Sequence, residues 1–175
     1  MRTMTRKGSM VILMISSLLL ISLDQVTKFA VQKTLMGKTG ISLIKGVFEL
    51  QYLENRGSAF GMMQGKRVLF LVMAGLMLVI IPYIYSVIPL TRRFLYLRVI
   101  AILFLSGAIG NAIDRMVHGY VIDFFYFSLI DFPIFNVADI YVTVAACLLI
   151  ILTMFYYKDE DFEQIHVFQN RKLLK

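Results

Sequence analysis

Four long apolar segments, separated by shorter polar stretches, dominate the sequence. Each has about 20 residues, the length at which a helix crosses a hydrocarbon core of roughly 30 Å. The first segment meets Asp24, Gln25 and Lys28 instead of the small residues of a signal-peptide cleavage site, so we expect a retained anchor. The predicted transmembrane helices cover residues 10–31, 68–88, 94–113 and 137–157.

The connection between the first two predicted spans, residues 32–67, alternates apolar and polar side chains. Phe48, Leu50 and Tyr52 fall on one side of an extended chain. Residues 41–44 can pair with this stretch across a turn at Gly46. The pattern therefore predicts a pair of β-strands.

The connection between the last two spans, residues 116–136, is rich in phenylalanine and tyrosine. This composition is typical of a segment that lies in the headgroup region, although a simple aromatic belt is the alternative. We predict an all-α membrane protein with four transmembrane helices, a small extracytoplasmic β-sheet and an interfacial segment. Residues 1–157 form the predicted transmembrane domain, and residues 158–175 form a short cytoplasmic C-terminal tail.

Composition agrees with a membrane protein. Of the 175 residues 59% are hydrophobic, and the mean hydropathy is +0.76. The net charge of +7 does not indicate a nucleic-acid partner, because the basic residues are scattered around the apolar segments. The single cysteine, Cys147, excludes an internal disulfide and is expected to behave as a small apolar side chain.

Basic residues predict the orientation in the membrane. An even number of spans places both termini and the connection between spans two and three on one side. The charge bias over the whole chain is small, so the basic block before the first span (Arg2, Arg6 and Lys7) and the Arg92–Arg93 turn decide the side. Both termini are predicted to be cytoplasmic.

Four aspartates lie at or inside the ends of the predicted spans: Asp24, Asp114, Asp123 and Asp139. An ionised carboxylate in hydrocarbon is costly unless it is paired or faces water, so such a residue indicates a functional site by default.

The third span carries Gly107, Asn111 and Asp114 at spacings that place them on one helix face, which we expect to point into the bundle. Arg115 is expected to offset the charge of Asp114 or Asp24. An ion pair that only locks helices together is the alternative for these three charged residues.

Asp123 and Asp139 have no basic neighbour in sequence, and the short connection between them allows both to return to the same rim of the bundle. Two carboxylates brought together in an apolar setting share one proton. Such a pair can activate water with one group and protonate the departing group with the other. A metal ion held by Asp114, Asp123 and Asp139 is a possibility that nothing in the sequence demands.

The sequence lacks the motifs of two other classes of hydrolase. The sequence contains neither a His-Glu-x-x-His zinc motif nor a Gly-x-Ser-x-Gly elbow. A second hypothesis is a four-span carrier or channel subunit that uses the acids as an ion or proton relay. It is disfavoured because the predicted second span contains no Asp, Glu, His, Lys or Arg.

Four sequence blocks resemble the bacterial lipoprotein signal peptidases (signal peptidase II). They occur in that family's order and in register with the predicted spans. The blocks are 24–28 (DQVTK), 55–61 (NRGSAFG), 110–124 (GNAIDR followed by GYVIDF) and 135–139 (FNVAD). Three positions depart mildly from the family pattern, namely Ser58, Ile122 and Ile140.

The resemblance implies that Asp123 and Asp139 are the catalytic dyad of a membrane aspartic peptidase. It also implies a set of residues that support the dyad or bind the substrate: Asp24, Lys28, Asn55, Gly57, Asn111, Asp114, Arg115 and Asn136. No metal or other cofactor is implied.

The implied substrate is a prolipoprotein whose cysteine carries a diacylglyceryl group, cut just before that cysteine. The resemblance places the chain in the bacterial cytoplasmic (inner) membrane as a multi-pass protein, with the active site at the extracytoplasmic face. Membrane lipids are its other expected partners, and a monomer is expected.

Overall fold

The computed structural model describes residues 5–57 and 66–165, and within them four helices are long and apolar enough to cross a membrane. These are α1 (Arg6–Leu35), α2 (Arg67–Val87), α3 (Leu95–Val117) and α4 (Val137–Phe155). A turn of 3₁₀ helix at Arg92–Phe94 leads into α3. The four predicted spans are confirmed, and their ends move by only a few residues.

A three-stranded antiparallel sheet covers one end of the bundle, in the order β1 (Ile41–Ile44), β2 (Phe48–Asn55), β3 (Val121–Tyr126). The hairpin between β1 and β2 turns at Gly46, whose φ of 71° lies in the left-handed region that glycine adopts easily. Ile41 lies opposite Leu50, so the predicted strand pair is confirmed.

The third strand lies within residues 116–136, where the sequence analysis predicted no strand, and the headgroup position of this segment stays a prediction. Val121 to Phe124 are all buried, so this stretch shows no alternation of exposed and buried positions. A short continuous apolar run cannot be distinguished from other buried structure by periodicity alone. The pairing of β3 with β2 places Asp123 opposite Leu53, at the edge of the helix bundle.

Helix α3 is the most buried of the four spans and packs against the other three. Its apolar face shares a core with α1 and α2 that includes Leu13, Ile81, Tyr85, Ala101 and Leu105. The free Cys147 lies on the exposed face of α4.

Glycine lets α4 approach α3 closely. A Cβ atom on Gly107 would lie 2.6 Å from the carbonyl oxygen of Ala138 and 2.6 Å from Cγ2 of Val142. No methyl group fits there without a shift of the α4 backbone. The predicted inward face of α3 is confirmed by this contact and by the buried Asp114.

The opposite end of the bundle is held by basic side chains. Arg93 pairs with Asp161 of α5 (Asp159–Glu163) at 2.5 Å, and the Tyr157 hydroxyl donates to the Arg93 carbonyl. Ile165 is buried in a core cluster with Phe94. The first residues after the predicted boundary at 157 therefore pack onto the bundle, while residues 166–175 lie outside the described part.

We expect Gly107→Ala to lower stability by about 1–3 kcal/mol, the usual cost of overpacking a close contact. Gly75→Ala is the matched control, because a Cβ atom at Gly75 of α2 would meet nothing within 4 Å. The midpoint of thermal unfolding in detergent measures both. Equal midpoints for the two variants would contradict the close α3–α4 contact.

Candidate active site

The site lies where the sheet meets the helix bundle. It draws Asp24 and Lys28 from α1, Asn111 to Arg115 from α3, Asn55 and Asp123 from the sheet, and Asn136 and Asp139 from the start of α4. Asp24, Lys28, Asp114, Asp123 and Asn136 are each no more than 1% exposed. The predicted site residues that the structure describes are brought together at one end of the molecule.

Lys28 is the cation that compensates the deep acids. Its Nζ lies 2.8 Å from Asp24 Oδ2 and 3.0 Å from Asp114 Oδ2. It donates a further hydrogen bond of 2.9 Å to Asn111 Oδ1, so all three N–H groups have acceptors. Among the described residues the ion pairs with both carboxylates are made by Lys28, which follows Asp24 by one helical turn. The predicted effect of Arg115 is limited to an electrostatic interaction with Asp114.

Asp24 also binds the start of α4. Its Oδ1 accepts a hydrogen bond of 2.9 Å from the backbone N–H of Ala138, one of the first N–H groups of that helix. Gly110 makes room for this contact, since a Cβ atom there would lie 2.6 Å from Asp24 Oδ2. A single carboxylate therefore links α1, α3 and α4.

Gln25 is a polar residue of the site that the sequence analysis did not assign. Its Nε2 lies 3.1 Å from Asp24 Oδ2, 3.0 Å from Asp114 Oδ1 and 3.1 Å from the carbonyl oxygen of Gly110. Its position in the DQVTK block, next to an intramembrane acid, was the available signal.

Asp123 is held by amides alone. Asn55 Nδ2 donates to Asp123 Oδ2 at 2.8 Å, and Asn136 Nδ2 donates to Asp123 Oδ1 at 2.6 Å. Burial, followed by the nearby charge of Asp139, raises the pKa of Asp123 to about 7, while the two amide hydrogen bonds act in the opposite direction. This carboxyl group therefore keeps its proton well above the usual range for aspartate.

Asp139 lies in the first turn of α4. Its Oδ1 accepts from Asn111 Nδ2 at 2.7 Å, and its Oδ2 accepts from the backbone N–H of Asn136 at 3.2 Å. The Asn136 side chain accepts in return from the backbone N–H of Asp139 at 3.0 Å, which completes a capping box. Asn136 thus contacts both candidate carboxyl groups.

Arg115 and Gly57 form the outer edge of the site. Arg115 Nη2 donates to the Gly57 carbonyl at 2.9 Å, and the Gly57 N–H donates to Asn55 Oδ1 at 2.9 Å. The Arg115 guanidinium also stacks over the Phe70 ring, 4.3 Å from its centroid. These contacts fix the chain just before residues 58–65, and Ser58 and Gly61 of the second sequence block lie outside the described residues.

A cavity of about 650 Å³ opens beside the two aspartates, between α2, α3, α4 and the loop before α4. Asp123, Asp139 and Arg115 line its polar end. Most of its wall is apolar, including Met73, Phe104 and other side chains of the spans: Phe70, Ala74, Met77, Ala108, Val142 and Val144.

The family model for signal peptidase (SPase) II matches residues 16–155. The chain belongs to the signal peptidase II family. The lipoprotein signal peptidase of Caldanaerobacter subterraneus subsp. tengcongensis is 46% identical over 134 residues, which are 76% of this chain and 89% of that protein. The lipoprotein signal peptidase of Clostridioides difficile is 40% identical over 141 residues, which are 79% of this chain and 92% of that protein.

A solved bacterial membrane enzyme has the same fold. It superposes with a TM-score of 0.70 at 28% identity, and covers 83% of this chain and 94% of its own. The predicted resemblance to signal peptidase II and the predicted four-helix membrane fold are both confirmed. The chain is therefore a multi-pass bacterial membrane protein of a peptidase family, and the comparisons give no support to a carrier or channel subunit.

We expect Asp24→Ala to destabilise this signal peptidase II fold by about 1–3 kcal/mol or more, because it leaves the buried N–H of Ala138 and one N–H of Lys28 without their acceptor. The surface variant Arg56→Ala is the control, since the side chains of its pair with Glu54 are 68% and 31% exposed. Loss of such an exposed pair costs about 0–1 kcal/mol. Thermal unfolding in detergent separates the two, and an unchanged midpoint for Asp24→Ala would remove Asp24 from the network.

Proposed function

We propose that this chain is an aspartic endopeptidase that removes signal peptides from diacylglyceryl-modified prolipoproteins, cutting just before the lipidated cysteine. The observation that carries the proposal is the position of Asp123 and Asp139 together at the polar end of an apolar cavity. Within the described residues, neither carboxyl group forms an ion pair. Two such groups are suited to exchange protons with a substrate.

The proposed chemistry begins with one proton shared by the dyad. The ionised carboxylate takes a proton from a water molecule, whose oxygen bonds to the scissile carbonyl carbon. The protonated carboxyl group gives its proton to the carbonyl oxygen. When the C–N bond breaks, the leaving nitrogen receives the proton that came from water, and a hydroxyl of the tetrahedral carbon returns the second proton to the dyad.

The supporting residues hold the dyad in place. One amide N–H of each of Asn55, Asn111 and Asn136 donates to a carboxylate of the dyad. An asparagine amide has two N–H groups, and the second one of Asn136 donates to Asn111 Oδ1. The hypothesis that these amides bind the substrate backbone stays a prediction, for which the second N–H groups of Asn55 and Asn111 are the best placed. The charges of Lys28 and Arg115 act on both Asp139 and Asp123 without an ion pair to either among the described residues.

The cavity supports a lipid-linked peptide substrate. Its polar end meets the dyad and its apolar wall continues along the spans α2, α3 and α4. A substrate with an apolar signal helix and acyl chains can leave both in the bilayer while the peptide bond next to the cysteine reaches the dyad. We propose that membrane lipids surround this opening and that one chain forms a complete site, so the enzyme acts as a monomer.

The orientation follows from the two ends of the bundle. The dyad and the sheet lie at one end, whereas Arg6, Arg93 and Arg98 bind backbone carbonyls and Asp161 at the other. The positive-inside rule then supports cytoplasmic termini and an extracytoplasmic site. Reporter fusions to the C-terminus would contradict this if they reported an extracytoplasmic location.

We expect Asp123→Asn and Asp139→Asn each to lower kcat/KM for prolipoprotein cleavage by about 10²–10⁴-fold, because each keeps the shape of the side chain but removes proton exchange. The matched control is Asp131→Asn, at an exposed position with a φ of 47° that asparagine tolerates. Cleavage of a purified lipid-modified precursor in detergent is the measurement. Near-normal cleavage by either dyad variant would contradict the assignment of Asp123 and Asp139 as the catalytic pair.

The same assay with excess chelator tests the metal alternative. A proton-sharing dyad keeps full activity, whereas a metal ion held by Asp114, Asp123 and Asp139 predicts loss that a divalent ion restores.

We expect a preference of more than about tenfold in kcat/KM for the diacylglyceryl precursor over the same peptide with a bare cysteine, because each CH₂ group in an apolar site contributes roughly 0.8 kcal/mol. Both peptides are compared at equal membrane concentration, so that partitioning does not produce the difference. Equal cleavage would indicate a signal peptidase that does not recognise the lipid.

A further inference from the structure

The two carboxyl groups of the proposed dyad have unequal surroundings. Asp139 accepts its shorter hydrogen bond from Asn111 Nδ2, at 2.7 Å. The other end of that amide, Asn111 Oδ1, accepts from the ammonium of Lys28 at 2.9 Å. The cation polarises the amide, which makes its N–H a stronger donor to an ionised carboxylate.

The position of Asp139 on a helix works in the same direction. It is the third residue of α4, within the turn where the partial positive charge of the helix favours an anion. The backbone N–H of Asn136 donates to its second oxygen.

Asp123 has weaker support. It lies in β3, and its hydrogen-bond partners are the neutral amides of Asn55 and Asn136. The charge of Lys28 also acts on Asp123, but Lys28 donates its hydrogen bond to Asn111, whose amide N–H binds Asp139. Asp123 is 1% exposed, so an ionised form at this position is poorly solvated. Of the two carboxyl groups, it is the one better suited to hold a proton.

We propose that Lys28 acts through Asn111 as a positioning residue that keeps Asp139 ionised, so that Asp139 activates water and Asp123 holds the shared proton. Lys28 itself touches no reacting atom. The assignment rests on the proposed function of the dyad and adds to it a division of roles. In the reaction, Asp139 takes the proton of water and passes it to the leaving nitrogen, while Asp123 protonates the carbonyl oxygen and recovers that proton on collapse.

The proposed division of roles predicts how kcat/KM depends on pH. The acid limb reports protonation of Asp139, and the basic limb reports loss of the proton from Asp123. The charged groups that face Asp139 are Lys28 and Asp24 from α1, Arg115 and Asp114 from α3, and Asp123 from β3.

The direct test uses the unaltered protein. The ¹³Cγ signals of aspartate are followed by NMR as a function of pH in detergent, and Asp123→Asn and Asp139→Asn identify the two resonances. We expect the Asp123 signal to titrate near pH 7 and the Asp139 signal to keep the ionised shift to clearly lower pH. The reverse order, with the proton on Asp139, overturns the assignment.

Two variants test the effect of the Lys28 charge on the ionisation of Asp139. Asp24→Asn is compared with the double variant Asp24→Asn/Lys28→Gln, which differs from it only by the loss of the cation. We expect the acid limb of the double variant to lie roughly 1 pH unit above that of Asp24→Asn, the usual scale of a neighbouring charge. Acid limbs at the same pH show that Lys28 has only a structural role, and overturn the proposal. If the double variant does not fold, the NMR order of titration alone decides.

Failure of this assignment of roles can be distinguished from failure of the proposed function. If Asp123→Asn and Asp139→Asn both cleave normally, the dyad itself is wrong. If both are inactive and the titration order is reversed, the dyad stands and only the division of roles falls.

Discussion

One buried cation organises this fold. Lys28 is 1% exposed and lies between the carboxylates of Asp24 and Asp114. Removing ions from water costs several kcal/mol each, and only close pairing with full hydrogen bonding offsets that cost. The geometry meets this requirement, since every N–H of the ammonium has an acceptor. Because these acids belong to α1 and α3, and Asp24 also binds the start of α4, three helices are fixed by one charge network.

The same network leaves Asp123 and Asp139 as the two acids that do not pair with Lys28. Lys28 is fully used by two carboxylates and Asn111, so it cannot form an ion pair with the second set of acids. Asp123 and Asp139 are held instead by neutral amides and a helix N-terminus. One pair of acids therefore shares a single cation inside the bundle, and the other pair lies at the edge of the cavity without an ion pair among the described residues.

The sequence predicted the spans, the β1–β2 strand pair and the position of the four acids near one end of the bundle, because length, alternation and charge in hydrocarbon are local signals. It did not predict β3, because Val121 to Phe124 are all buried and show no alternation. It did not predict the ion pairs of Lys28, although the i, i+4 spacing of Asp24 and Lys28 was visible. The contacts of Asn55 and Asn136 with Asp123 join residues far apart in sequence, and no local pattern encodes them.

Asn136 shows why stability and chemistry are coupled here. Its side chain caps α4 through the N–H of Asp139 and also donates to Asp123 at 2.6 Å. The loop that carries it is held against β3 by reciprocal backbone hydrogen bonds between Phe125 and Phe135. The relative position of the two carboxyl groups therefore depends on a helix cap and a β-bridge. Groups that act together in a site need well-defined positions, and regular strands and helices hold side chains more precisely than loops do. The end of a strand and the first turn of a helix therefore allow a small bundle of helices to hold the two acids that we propose to share one proton.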